Sequence, residues 1–136
     1  MTAGYSGTPL AKKLGIKPGT VLLPVHAPAN YLGLVAPLPE NVTVSREVMD
    51  DLDVVHLFTK TRAELIELLD LYKPKIKQNG TIWVSWPKKT SGIPSEITED
   101  TVREIALPLG LVDIKVCAVD ETWSGLKLVI RKENRK

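Results

Sequence analysis

The sequence predicts an α/β fold of three layers, in which helices cover both faces of a mostly parallel sheet with an antiparallel hairpin at one edge. Two observations predict this fold. Strand-like apolar runs alternate with helical patterns from residue 20 to residue 110, as in parallel strands joined by crossover helices. Two further strand-like runs then follow each other across a short polar connection, which favours antiparallel pairing. A chain of 136 residues suits a single domain spanning residues 1–136.

Composition and charge are those of an ordinary globular protein. The net charge is +2, of which residues 131–136 alone contribute +3, so the remaining body carries −1. We therefore expect a basic tail at residues 132–136, no broad basic face and no nucleic-acid binding. The chain has neither an apolar stretch resembling a signal peptide nor an uncharged run of membrane-spanning length. These features predict a cytoplasmic protein without membrane association.

The first elements are short. Residues 1–8 are small and polar and predict a flexible or docked arm. Residues 9–14 can form a helical turn or two, which Gly15 would close as a left-handed cap. An apolar run at 20–25 predicts the first strand, 29–35 predicts a short helix, and 42–44 predicts an edge strand.

Stronger signals begin at a central strand over residues 54–58. Thr61 and Glu64 form a capping box that opens a helix, which Pro74 kinks or ends. Asn79-Gly80 predicts a turn into a strand at 81–86. The apolar face of the helix comprises Leu65, Leu68, Leu69, Tyr72 and Ile76.

The last elements are a helix and the hairpin. Thr98 caps a helix whose first residues are acidic, and Gly110 closes it. Two final strands are predicted over residues 112–119 and 125–131.

The second half of the chain resembles a class I methyltransferase domain, which uses S-adenosylmethionine. The resemblance rests on Asp53-Val54-Val55, residues 71–80, Thr81-Ile82-Trp83-Val84, Leu109-Gly110-Leu111 and the final hairpin. It implies a Rossmann-like fold with a methyltransferase-type antiparallel edge. The chain departs from that family after the first strand, where Pro24 and Pro28 replace the expected glycines. No acidic residue ends the strand at 42–44, so no cofactor is predicted and no cofactor-binding residue can be assigned.

Two further motifs are similar to the signatures of a small bacterial family known as a domain of unknown function. They are GYSGTPLAKKLG at residues 4–15 and WPKK at residues 86–89. This resemblance covers the whole chain and implies no activity.

Candidate ligand-binding residues lie after three strands. Because ligands of open α/β sheets collect at the carboxyl ends of the strands, these loops are expected to form one crevice. Their lysines and hydroxyls predict an electropositive rim for a phosphate, a carboxylate or an acidic peptide. The alternative is that such lysines are simply solvated. The candidates are His26 and Asn30; Thr59, Lys60 and Thr61; and Trp86, Lys88, Lys89, Thr90 and Ser91.

The remaining reactive residues point to no catalytic or metal site. His26 could exchange protons, but no acid or nucleophile stands at a spacing that ties it to a triad. His56 lies in an apolar strand and predicts a hydrogen-bonded core contact. Trp83 and Trp86 lie on opposite faces of one strand, where either core packing or, for Trp86, stacking on a ligand is possible. Cys117 predicts a buried, unreactive thiol.

Three functions remain open from the sequence. The first is a non-catalytic binding domain for an anionic small molecule or a partner protein. The second is an S-adenosylmethionine-dependent methyltransferase with a degenerate cofactor site. The third is an assembly protein that uses the edge strand at 42–44 or the N-terminal arm.

Overall fold

The structure is a computed structural model that describes residues 9–135. The predicted arm at residues 1–8 and the last residue of the basic tail lie outside the described residues. Ten helices and strands occur in the described part of the chain. They are α1 (Leu10–Lys13), β1 (Val21–Val25), α2 (Tyr31–Val35), β2 (Thr43–Val44), β3 (Leu52–Phe58), α3 (Arg62–Tyr72), β4 (Ile76–Pro87), α4 (Glu99–Ala106), β5 (Leu111–Ala118) and β6 (Trp123–Ile130).

The six strands form one mixed sheet in the order β2-β1-β3-β4-β6-β5. Strands β2, β1, β3 and β4 pair in parallel. The last strand, β6, lies between β4 and β5 and is antiparallel to both. The predicted α/β class, parallel sheet and antiparallel hairpin at an edge are therefore confirmed.

Helix boundaries follow the local signals that predict them. The Thr61 hydroxyl accepts a hydrogen bond from the backbone N–H of Glu64 at 3.2 Å, and Thr98 caps α4 through Thr101 in the same way. Gly15 and Gly110 both adopt positive φ, +78° and +83°, at the ends of the helical segments that they close. The capping box at α3 is only half formed, because the Glu64 carboxylate binds the Thr59 hydroxyl.

Two apolar clusters lie on opposite faces of the sheet. The first packs α3 and α4 against the sheet and contains Trp86, which is 7% exposed. The second lies under α1 and α2 and contains the fully buried Trp83, whose indole N–H donates to the Leu14 carbonyl at 2.9 Å. Trp83 and Trp86 therefore occupy opposite faces, as their spacing predicts, and both pack in the core.

Two local predictions are wrong. Asn79-Gly80 does not turn the chain into a strand, because β4 already begins at Ile76 and continues through both residues. Ile76 consequently packs in the core from a strand and not from the face of α3. The side chain of Cys117 is half-buried, not buried, because it lies on the outermost strand β5.

Candidate ligand-binding site at the switch point

The chain changes direction across the sheet between β1 and β3. Strand β2 lies on one side of β1 and β3 lies on the other, so the connections that leave the two strands diverge. Such a switch point leaves a crevice at the carboxyl ends of the strands, where α/β proteins bind ligands. His26 follows β1 directly, and Thr59 follows β3 directly.

A cavity of about 470 Å³ opens at this point. We call it the switch-point crevice. Its walls come from the ends of β1 and β3, the start of α3 and the start of β6. The lining residues are His26, Pro28, Phe58, Thr59, Lys60, Thr61, Glu64 and Trp123.

A histidine, a carboxylate and a hydroxyl meet on one side of the crevice. His26 Nδ1 lies 3.4 Å from Glu64 Oε2. The Thr59 hydroxyl donates to Glu64 Oε1 at 2.6 Å, which orients the carboxylate. His26 adopts positive φ, +57°, a conformation uncommon outside glycine, and this turn carries the ring to Glu64. His26 therefore has the acidic partner that its sequence spacing does not reveal.

An aromatic pair forms another side of the crevice. Phe58 and Trp123 pack edge to face with ring centroids 5.0 Å apart. Trp123 follows a tight turn in which Asp120 Oδ1 accepts hydrogen bonds from the backbone N–H groups of Thr122 and Trp123, both at 2.8 Å. Phe58 is buried and Trp123 is partly exposed, so Trp123 offers the apolar ring surface beside the polar groups.

The crevice holds one lysine without a counter-ion. Among the described residues, the Lys60 ammonium has neither a hydrogen bond nor an ion pair, and its side chain is exposed. The start of α3 is less available to an anion, because the Glu96 carboxylate already accepts the backbone N–H of Arg62 at 2.9 Å. Positive charge in the crevice therefore comes from Lys60, and from His26 when it is protonated.

The structure brings together only some of the predicted site residues. His26, Thr59, Lys60 and Thr61 line the crevice, whereas Lys88, Lys89 and Asn30 do not. The Lys88 ammonium donates to the Asp120 carbonyl at 2.7 Å and so supports the turn before Trp123. Trp86 packs in the core, Lys89 and Thr90 are exposed in or beside a short 3-10 segment, and Ser91 donates to the Lys88 carbonyl.

Sequence reasoning missed four residues of the crevice, Pro28, Phe58, Glu64 and Trp123. The sequence assigns Glu64 to the capping box of α3, so nothing suggests a second role for it. Trp123 lies in the predicted hairpin connection, far along the chain from the other candidates. Phe58 has the pattern of a strand core residue. No sequence signal placed Trp123 there, because the order of the strands was not predicted. In the structure β6 pairs with β4 and sets Trp123 opposite Pro87, at the same end of the sheet as Thr59.

His56 lies beneath the crevice in a buried polar chain. Its Nδ1 is 2.9 Å from the Tyr31 hydroxyl and its Nε2 is 2.7 Å from the Ser85 hydroxyl. Complete burial lowers the pKa of His56 to about 3, so the ring is neutral at physiological pH. The predicted hydrogen-bonded core contact is confirmed.

Residues 9–135 contain neither a metal-binding cluster nor a membrane-spanning helix. No group of three or more metal-binding side chains is present in that range. None of the helices there combines the length and the apolar character needed to cross a bilayer.

Comparisons with known proteins identify a family and a fold. The profile of the family described as "Protein of unknown function (DUF3052)" matches residues 36–132. No curated protein sequence matches the chain significantly. Several solved structures share the fold at low sequence identity. An S-adenosylmethionine-dependent methyltransferase from Aquifex aeolicus has a TM-score of 0.64 and 18% identity, over 89% of this chain and 88% of that one.

Two further structures agree with this fold. A putative type 11 methyltransferase from Sulfolobus solfataricus has a TM-score of 0.61 and 13% identity, over 92% of this chain and 91% of that one. A protein of the NADB-Rossmann superfamily from Streptococcus agalactiae has a TM-score of 0.57 and 14% identity, over 96% and 71% of the two chains. The Rossmann-like, methyltransferase-type fold is therefore shown.

The residues around β1 and β2 do not fit the cofactor that this fold suggests. A close backbone approach to S-adenosylmethionine after β1 would be expected to use glycines, but the turn contains His26 and Pro28, and Pro28 has no N–H to donate. After β2, the first side chain is Ser45, whose hydroxyl is engaged with the backbone of Glu47.

Proposed function

We propose a function for this chain, which belongs to the DUF3052 family of proteins of unknown function: it binds an anionic small molecule in the switch-point crevice without catalysing a reaction on it. The observation that carries the proposal is the cavity of about 470 Å³ at the carboxyl ends of β1 and β3. Its size lies within the usual range for small-molecule sites, roughly 300–1,000 Å³. Its position is the one at which α/β sheets hold their ligands.

The lining of the crevice defines the chemistry of the ligand. An anionic group would be held by Lys60, which has no counter-ion among the described residues, and by His26 in its protonated form. An apolar or ring portion would pack on Trp123, whose ring rests against the buried Phe58. Glu64 opposes an anion less than a free carboxylate would, because the Thr59 hydroxyl and the His26 ring already contact it.

A binding role is favoured over catalysis because the hydroxyls that line the crevice are already engaged. The Thr59 hydroxyl donates to Glu64, and the Thr61 hydroxyl accepts from the backbone N–H of Glu64. Thr59 is buried, so its hydroxyl lacks the open face that a nucleophile needs even though it donates to a carboxylate. The Thr61 hydroxyl contacts neither a carboxylate nor an imidazole among the described residues. We place this binding role in the cytoplasm, and a partner protein that presents a carboxylate is the second possible ligand.

Lys60→Ala is the variant that tests the proposal. Loss of a charged contact typically removes about 1.5–3 kcal/mol, which corresponds to a roughly ten- to hundredfold weaker affinity. The wild-type protein and the variant would be titrated with ATP and with benzoate by calorimetry, and melting temperatures would be measured in parallel. Lys89→Ala is the matched control, because Lys89 is exposed and does not line the crevice.

The expected result is that an anion binds to the wild type and to Lys89→Ala but weakly to Lys60→Ala, while all three melt at similar temperatures without ligand. Equal binding by the Lys60 and Lys89 variants would overturn the proposed site. Stabilisation by S-adenosylmethionine alone would instead overturn the anion-binding proposal and favour the methyltransferase alternative. At a hundredfold excess over its dissociation constant, any ligand should add about 2.7 kcal/mol of stability, which melting curves detect easily.

A further inference from the structure

A second cavity lies at the opposite end of the sheet from the switch-point crevice. It has a volume of about 260 Å³ and is formed where β1, β3 and β4 begin and where β6 passes them. We call it the lysine cavity. Its lining residues are Gly15, Lys17, Thr20, Asp53, Val54, Asn79, Thr81 and Lys127.

Lys127 occupies an unusual position for a lysine. It lies in the middle of β6, a strand with a neighbour on each side, and its side chain is only partly exposed. Directly across the ladder on β5 stands another lysine, Lys115. Like charges in opposite positions of a sheet destabilise it, so the fold tolerates an unfavourable pair here.

No group within residues 9–135 neutralises Lys127. Among the described residues its ammonium has no hydrogen bond and no ion pair, whereas Lys115 donates to the Lys13 carbonyl at 3.3 Å. Burial lowers the pKa of Lys127, and the charges of Lys115 and Lys17 lower it further. The positive charges of Lys17, Lys115 and Lys127 therefore lie close enough to repel one another, and the ammonium of Lys127 is partly buried.

Asp53, the acidic residue that lines the cavity, is bound to other groups. Asp53 Oδ2 accepts the backbone N–H of Val21 at 2.8 Å, and Asp53 Oδ1 lies 3.0 Å from the ammonium of Lys77. Asp53 therefore joins β3 to β1 and leaves Lys17 and Lys127 without compensation. The hydroxyl-bearing residues Thr20 and Thr81 complete the polar wall of the cavity.

We propose that the lysine cavity binds a phosphate group between Lys17 and Lys127. The cavity is too small for a drug-sized molecule but suits a single tetrahedral anion, and two lysines can each contribute a charge-assisted hydrogen bond to it. A bound dianion would also offset the repulsion between Lys127 and Lys115. This site is independent of the switch-point crevice, because no residue lines both cavities.

The test uses inorganic phosphate as the probe and Lys127→Met as the variant. Phosphate should bind to the wild-type protein and raise its melting temperature relative to sodium chloride of the same ionic strength. The affinity should fall roughly tenfold or more in Lys127→Met, because a charged contact is removed. Lys12→Met is the matched control, since Lys12 is an exposed lysine of α1 that does not line the cavity.

Equal responses to phosphate and chloride, or equal phosphate affinity in the Lys127 and Lys12 variants, would overturn the proposal. A second measurement applies to the wild type alone, so it remains decisive if the Lys127 variant folds poorly. Acylation of each lysine by an N-hydroxysuccinimide ester would be followed by mass spectrometry with and without phosphate. Phosphate should protect Lys127 and Lys17 and leave Lys12 unchanged, whereas uniform labelling would contradict the site.

Glycerol phosphate distinguishes the two sources of the phosphate group. Binding as tight as that of inorganic phosphate would indicate that the site accepts a phosphate ester on a larger molecule, and weaker binding would indicate a site for the free ion. Lys60→Ala should leave both affinities unchanged. That result separates this inference from the ligand proposed for the switch-point crevice.

Discussion

His56 shows how a single buried residue couples stability to pH. Its ring stacks on Phe58 with centroids 4.4 Å apart, and both ring nitrogens hydrogen-bond to hydroxyls, those of Tyr31 and Ser85, so no carboxylate stabilises a charge there. Protonation would place a charge in a fully buried site. Because burial lowers its pKa from 6.5 to about 3, the unfolded chain takes up the proton first as the pH falls.

This lowered pKa predicts that the protein loses stability as the pH falls. The contribution of neutral His56 is fully present above pH 6.5 and is lost progressively as the pH falls towards about 3. Within that window, the free energy of unfolding should fall by as much as about 1.4 kcal/mol per pH unit through this residue. Urea unfolding of the wild type and of His56→Gln, between about pH 7 and pH 4, would measure the difference in slope.

The control for the pH experiment is His26→Gln, because the His26 side chain is exposed in the crevice. The wild type and the His26 variant should lose stability with similar slopes, while His56→Gln should have a shallower one. Parallel curves for all three proteins would show that carboxylates alone cause the acid sensitivity.

At the scale of elements, β4 is longer than its sequence predicts. Asn79-Gly80 is a frequent turn signal, but the same residues also suit a bulge within a strand. The register between β3 and β4 shifts between Leu52 and Val54, so several residues of β4 lie opposite a short stretch of β3. Local sequence cannot distinguish a turn from a bulge, because the difference depends on whether a neighbouring strand continues beside it.

Gly80→Ala tests this bulge. A Cβ at Gly80 would lie 3.0 Å from Ile76 Cβ and from the carbonyl oxygens of Leu52 and Lys77, two of which are backbone atoms that cannot move aside easily. We expect the substitution to reduce the free energy of unfolding by about 1–3 kcal/mol through overpacking. Chemical denaturation provides the measurement.

Gly33→Ala is the contrasting variant. Gly33 lies in α2, and a Cβ there would meet nothing within 4 Å. Alanine should therefore stabilise α2 by up to about 1 kcal/mol, because it restricts the unfolded chain and favours the helix. If Gly80→Ala were as stable as Gly33→Ala, the bulge would not be as tightly packed as the structure indicates.

At the scale of the whole molecule, stability is expected to be concentrated in the middle of the sheet. Strands β3, β4 and β6 each have a neighbour on both sides, whereas β2 has two residues and one neighbour. Backbone amides of the central strands should exchange with solvent only through global unfolding, and those of β2 through local opening. Hydrogen exchange followed by mass spectrometry would show this contrast; equal protection of β2 and β4 would contradict it.

The sequence alone determined the class of fold and most element boundaries, because those depend on local chemistry. Local interactions set these boundaries. They are the hydrogen bonds of the threonines that cap α3 and α4, the positive φ of the closing glycines and the pattern of neighbouring apolar residues. The tertiary structure alone decided which further residues join the predicted ones in the switch-point crevice, and it alone created the lysine cavity. His26 meets Glu64 because β1 pairs with β3, and Lys127 reaches the lysine cavity because β6 inserts beside β4. The pairing of distant strands depends on the burial of whole sheet faces. It therefore cannot be predicted from the sequence spacing of the residues that it brings together.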